Sequence, residues 1–177
     1  MFFKLVDCMS MYKNIKQTFK SEYKGRTEAY KERLAAWGND PAVRRVEKPT
    51  NIARARELGY KAKQGVIIAR VKVKKGNRKR PAVGGGRKPS KTGRFFSRAK
   101  SMQSIAEERA SKKFSNCEVL NSYFVGETGT TKFYEIILLD KSSPSIQGDA
   151  AYRNIISKGG RAERGLTSSG KKYRGLE

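Results

Sequence analysis

The sequence has no histidine and only two cysteines, Cys8 and Cys117, in 177 residues. Without imidazole, general acid–base chemistry falls to carboxylate, lysine or thiol groups. Without histidine or a CxxC pair, neither a usual zinc ligand set nor a disulfide framework can be drawn, so the two thiols suit a reducing, intracellular compartment. Acidic residues are scarce as well: 16 Asp and Glu stand against 40 Lys and Arg, for a formal net charge of +24. No apolar run approaches the length of a membrane span, and the opening MFFKLVDCMS, interrupted by Lys4 and Asp7, is too short for a signal peptide. These deficits lead us to expect no enzyme, no cofactor, no metal, no membrane contact and no small-molecule substrate.

What is present is charge. Apolar residues make up 37% and charged residues 32% of the chain, a balance that fits a small core carrying polyelectrolyte appendages. Such an excess of one sign repels itself in isolation and calls for a polyanionic partner, nucleic acid first. The charge is also unevenly placed. Residues 54–98 hold 16 basic side chains against the single acid Glu57, whereas residues 99–157 hold seven of each sign and the densest apolar runs.

Periodicity supplies an outline. Tyr12, Ile15, Phe19 and Tyr23 recur at helical spacing until Gly25, and a second helix after Thr27 carries Tyr30, Leu34 and Trp37 on one face. Both helices have lysine faces able to lie on phosphates. An extended stretch 43–49 precedes a short helix 52–58, capped by Thr50 or Asn51 and ended by Gly59. In the strand 66–74, Ile67, Ala69, Val71 and Val73 form an apolar face, while Arg70, Lys72 and Lys74 form a basic face expected to point outward. Residues 75–100 show no period, as expected of a functional arm. Ser104 and Glu107 read as a capping box opening a helix to 114, with Glu107 and Glu108 favouring its dipole, and strands 118–125 and 132–139 form a hairpin. Asp149 caps a last short helix, and the tail 158–177 is expected to find nothing to bury without its partner.

The candidate site follows from side-chain chemistry. Arginine forks match phosphate oxygens, lysines add point charge, glycines admit a close backbone approach, and aromatic rings stack on unpaired bases. The residues expected to meet RNA are Arg54, Arg56, Tyr60, Lys61, Lys63, Arg70, Lys72, Lys74, Lys75, Arg78, Lys79, Arg80, Arg87, Lys88, Lys91, Arg94, Phe95 and Arg98, joined by Lys171, Lys172 and Arg174 of the tail. RNA is favoured over DNA because long basic arms suit irregular folded RNA and no recognition-helix arrangement is evident. Residues 85–92 miss the phosphate-binding loop pattern, since serine stands where its second glycine is required. Two alternatives remain: an RNA-processing nuclease using Glu107, Glu108 and Asp140, and a basic protein that binds RNA or DNA non-specifically or lies on a membrane surface.

Ordered blocks then carry a family resemblance: LGYKAKQG at 58–65, KGNRKRP at 75–81, SMQSIAEERA at 101–110, VLNSYFVGE at 119–127, KFYEIILLD at 132–140 and RGLTSSGKKYRGL at 164–176. In that order they resemble large ribosomal subunit protein fifteen of the archaeal and eukaryotic type, the L15e family, from about Met9 to the end. The resemblance implies an α+β fold, a small, mainly antiparallel sheet packed with helices and elaborated by long basic extensions. It also implies a structural, non-catalytic role in translation, in the cytoplasmic ribosome, with large-subunit ribosomal RNA and neighbouring large-subunit proteins as partners. On this reading residues 1–10 are an extra leader from a miscalled start, 11–64 a helical region, 65–157 the core interrupted by an arm at 74–100, and 158–177 a basic tail. Residues 1–8 have no counterpart in the family pattern. The ending lacks the histidine- and arginine-rich extension of eukaryotic members, so an archaeal source is expected.

Overall fold

Four segments able to bury side chains on alternate sides make the frame: Val43–Val46 (β1), Val66–Lys74 (β2), Cys117–Glu127 (β3) and Thr131–Asp140 (β4). They pair antiparallel in the order β1-β2-β4-β3, with Ile68 opposite Ile137 and Val71 opposite Tyr134. The computed structural model describes residues 6–76, 84–86 and 100–176, with backbone only for 6–10. Seven helices accompany the sheet among these residues: Val6–Gly25 (α1), Glu28–Asn39 (α2), Ile52–Glu57 (α3), Met102–Lys113 (α4), Pro144–Gln147 (α5), Ala150–Ile156 (α6) and Ser168–Tyr173 (α7). The fold is the expected α+β arrangement of an antiparallel sheet packed with helices.

Helices cover both faces of the sheet. On one face Ala69, Val71, Val73, Ile136 and Leu138 pack against Ala106 and Ala110 of α4, where alanine lets the helix axis come close. On the other face, Ala55 of α3 and Tyr60 cover Ile68 and Ile137. Tyr30, Leu34 and Trp37 of α2 cover Phe133, while Ile146 of α5 and Tyr152 of α6 cover Leu139. The second face of β2 is therefore covered at Ile68 and Arg70, and the basic outward face expected from alternation remains only at its end, at Lys72 and Lys74. A strand in the sheet interior has two neighbouring layers, and polar residues at its margins do not reveal the second one.

Several boundaries also shift. The stretch 43–49 contains a true strand, β1, because β2 offers it a partner edge. The N-cap of α4 is Ser101, whose hydroxyl accepts from the Ser104 amide at 3.1 Å, so the helix begins a turn before the expected capping box. Glu107 consequently does not sit at the helix dipole. It has no exposed surface and accepts hydrogen bonds from the Ser122 hydroxyl and, at 2.6 Å, the Thr167 hydroxyl. Helix α5 was not expected at all. The caps at Asn51 and Asp149 and the left-handed Gly59 (φ +94°) agree with the sequence reading.

The tail departs most from expectation, for it folds back onto α4. Ala162 enters the core, Thr167 caps α7 through the Gly170 amide at 3.1 Å, and the Ser169 hydroxyl lies 3.0 Å from that of Ser104. Gly170 packs so closely on the Gly165 backbone that an added Cβ would stand 2.7 Å from it. This segment buries small and hydroxyl-bearing residues through hydrogen bonds, which hydrophobic periodicity does not register.

Burial pushes the Glu107 carboxyl above its ordinary value, while the hydroxyls of Ser122 and Thr167 pull it back. A carboxyl raised in the folded state supports the fold fully below its unfolded value and loses that support as pH rises through the folded one. Thr167→Val removes one donor from a buried carboxylate and should cost about 1–3 kcal/mol near neutral pH, with a smaller penalty in acid, where the carboxyl is protonated. Denaturant titrations of both proteins across pH measure the difference; a pH-independent difference would refute the coupling.

Candidate nucleic-acid interface

The short helix α3 shows how local sequence aims charge. Asn51 accepts from the Arg54 amide at 2.9 Å and starts the helix, Ala53 and Ala55 turn inward, and Arg54 and Arg56 are left exposed. Arg54 pairs with Glu57 at 2.9 Å, and Arg56 lies over the Tyr12 ring of α1, 5.7 Å from its centroid. Lys61 and Lys63 follow on the loop and converge on Asp149, at 3.0 and 2.7 Å. Both ammonium groups also face the Tyr152 ring. The bonds from Lys63, Lys61 and the Ala151 amide hold the Asp149 carboxyl well below the usual carboxylate range. Lys75, at the end of β2, lies 3.2 Å from Glu127, which also accepts from Tyr23 at 3.0 Å.

Two of the expected RNA-facing residues are turned inward. Tyr60 is buried with Ile68, Tyr123 and Ile137, so its ring faces apolar neighbours instead of an open surface for stacking. Arg70 lies under α2 with its guanidinium 4.2 Å from the Trp37 ring centroid, 3.7 Å from Glu135 and 3.9 Å from Asp40. Burial lowers its pKa, and the carboxylates of Glu135 and Asp40 oppose that shift. The alternation that made Arg70 an outward residue was correct in period, but α2 covers that side.

Elsewhere the basic set divides. Lys72 donates to the Gly38 carbonyl at 2.8 Å, and Lys74 is exposed beside it. Lys171 and Lys172 project from α7, whereas Arg174 donates to the carbonyls of Arg164 and Gly165 at 3.3 and 3.4 Å. Arg78, Lys79, Arg80, Arg87, Lys88, Lys91, Arg94, Phe95 and Arg98 lie outside the described residues. The three acids of the nuclease reading occupy separate settings: Glu107 is buried, Glu108 pairs with Lys100 at 2.6 Å, and Asp140 accepts from the Ser142 amide and hydroxyl at 3.0 and 2.7 Å. Among the described residues no group of three or more His, Cys, Asp or Glu side chains is placed to hold a metal ion.

The candidate list omitted a stripe on α1. Lys13, Lys16, Lys20 and Lys24 line one shallow groove along the helix, spaced by three or four residues. That row spans about 16 Å at the α-helical rise. Lys16 pairs with Glu57, and beside the row Phe19, Tyr23 and the half-open ring of Phe124 line a second recess with Lys20 and Arg54. The spacing was present in the sequence. What it lacked was a way to tell which side of α1 stays open.

The family model described as Ribosomal L15 matches residues 10–177 of this chain. No helix among the described residues is long and apolar enough to cross a membrane.

If Lys61 and Lys63 face the ligand, Asp149 competes with it for both. Asp149→Asn keeps a residue suited to the N-cap and removes the competing carboxylate. Binding of a structured RNA at moderate salt should tighten several-fold, and the slope of log K against log salt should steepen. Unchanged affinity and slope would place the two lysines away from the ligand.

Proposed function

The chain belongs to this ribosomal L15e family, whose members are components of the large subunit of the cytoplasmic ribosome, and from that premise we propose that it binds and stabilises large-subunit ribosomal RNA in support of translation. The observation that carries the reading is the one-sided fate of the charges. Glu107, Glu118 and Glu135 are buried and engaged inside the fold, while the lysine row of α1 stays exposed and the basic residues outnumber the acidic 40 to 16.

In this role Lys72, Lys74 and Lys75 stand at the end of β2 from which the arm departs, Arg54 and Arg56 of α3 and Lys61 and Lys63 beside Asp149 offer contacts away from it, and the basic residues of 77–99 extend the charge along RNA. Lys171 and Lys172 of α7 add a further contact, and the lysines of α1 form another. The role is architectural: neutralising phosphates allows RNA segments to approach one another, and the protein contributes no reacting group. Neighbouring large-subunit proteins are expected at the remaining surfaces.

In a sucrose gradient at moderate salt the protein should travel with the large subunit, and sedimentation free or with the small subunit would count against the proposal. Replacing Lys13, Lys16, Lys20 and Lys24 by Gln should flatten the log K against log salt slope by about 3, since each lost phosphate contact removes roughly 0.7–0.9. An unaltered slope would exclude the α1 row from the interface.

A further inference from the structure

At the root of the arm, an open recess of about 600 Å³ lies between the end of α2, the end of β2, α4 and the β3–β4 turn. Its size falls in the range of ligand pockets, about 300–1,000 Å³. Lys72, Lys74 and Arg109 line it, together with the threonines of the turn, and among the described residues no carboxylate does. This distinguishes it from the basic residues of α3, of the loop after it and of the hairpin end. Arg54, Lys61, Lys63 and Lys75 each face a carboxylate, whereas Lys72 is held by the Gly38 carbonyl at 2.8 Å and Arg109 donates to the Lys72 carbonyl at 3.1 Å. A carbonyl orients a cation without neutralising it, so two charges are fixed in place and remain uncompensated. Between them Ile105 supplies accessible apolar surface, with Val73 and Phe133 buried behind it.

We propose that this recess receives one unstacked nucleotide of the bound RNA, with its base on the apolar lining and its phosphate on Lys72 and Arg109. The inference rests on the RNA-binding reading and adds a defined subsite to it. Charge complementarity requires an anion, and the recess calls for more than an anion. An acidic side chain of a neighbouring protein would meet the cations and leave much of the volume unfilled, whereas a nucleotide joins a flat apolar base to a charged phosphate. Location agrees, because β2 passes into the basic arm at this point and the RNA backbone is expected alongside. Extruded bases held between protein side chains are a common means of recognising irregular RNA.

Ala42 sits exposed on the rim and keeps only a backbone bond there, its carbonyl accepting from the Lys72 amide at 3.0 Å, so Ala42→Trp fills the recess from outside the core. Thr130→Trp fills it from the opposite rim and guards against one variant failing to fold. The full chain is titrated with protein-free large-subunit ribosomal RNA over a range of salt, and ribose acylation is mapped on each complex. Both bulky variants should bind about tenfold more weakly, the scale of one lost stacked base, with an unchanged salt slope and newly reactive ribose at one nucleotide. Arg109→Gln should instead flatten the slope by about one.

Wild-type affinity and an unchanged footprint in both bulky variants would overturn the assignment. So would a defect seen only when neighbouring proteins are present, which would mark the recess as a protein contact. Failure of the wild-type chain to bind RNA would remove the underlying reading and this subsite with it, an outcome distinct from either of these.

Discussion

One buried carboxylate holds the layers together. Glu135 lies on β4 with no exposed surface, accepts from the Thr50 amide at 2.9 Å and from the hydroxyls of Thr50 and Tyr123, and faces Arg70 across 3.7 Å. Burying a carboxylate costs several kcal/mol unless donors and an opposite charge answer it. The donors come from the segment before α3 and from β3, the opposite charge from β2, and Arg70 in turn reaches Trp37 and Asp40 at the end of α2. A single site thus fixes the sheet register, the entry to α3 and the seat of α2. Arginine suits it better than lysine, since its planar group can stack on an indole and stay charged when buried. Removing Glu135 alone would strand Arg70, so these elements stand or fall together.

The same requirement organises the surface. With 16 carboxylates against 40 cations, a carboxylate used to satisfy the interior cannot also neutralise the exterior. Glu107 anchors the tail to α4 and β3, Glu118 accepts from the amides of Gly160 and Arg161, and Glu127 gathers Tyr23 and Lys75 at the hairpin end. The hydrogen bonds from Tyr23 and Lys75 hold the Glu127 carboxyl below its ordinary value, against the effect of burial. These three acids therefore act as fasteners within the fold, and the outer surface keeps an excess of basic charge. The fold and the basic surface follow from one allocation of charge.

How far the sequence disclosed this depended on the kind of packing. Strand β2 was read to its ends, and α2 with its buried Tyr30, Leu34 and Trp37 was read correctly, because apolar period and burial coincide there. Strand β1 was read only as extended, since four residues with two arginines show no period until an edge strand pairs with them. The tail was misread because Thr167, Ser169 and Gly170 are buried by hydrogen bonds and close backbone contact. At the candidate site, Arg54 and Lys61 are exposed as expected, whereas Arg70 and Tyr60 are enclosed by helices whose position depends on contacts distant in sequence. Charge type was legible; which charges remain outside was a tertiary property.

The two covered sheet faces also restrict where a large partner can be met. Neither face is open, so contact falls to helix flanks, loops and strand ends. Strand β2 is the one strand that leads straight into the basic arm, and its last residues change character within a single alternation: Val73 is buried at 1% exposure while Lys74 next to it is open. Lys72 is tied to α2 and Arg109 is tied to Lys72, so the base of the arm is braced from two helices. The chain after Lys74 thus leaves a central strand from a fixed point. On the RNA-binding proposal, a fixed starting point reduces the conformational freedom to be lost on binding.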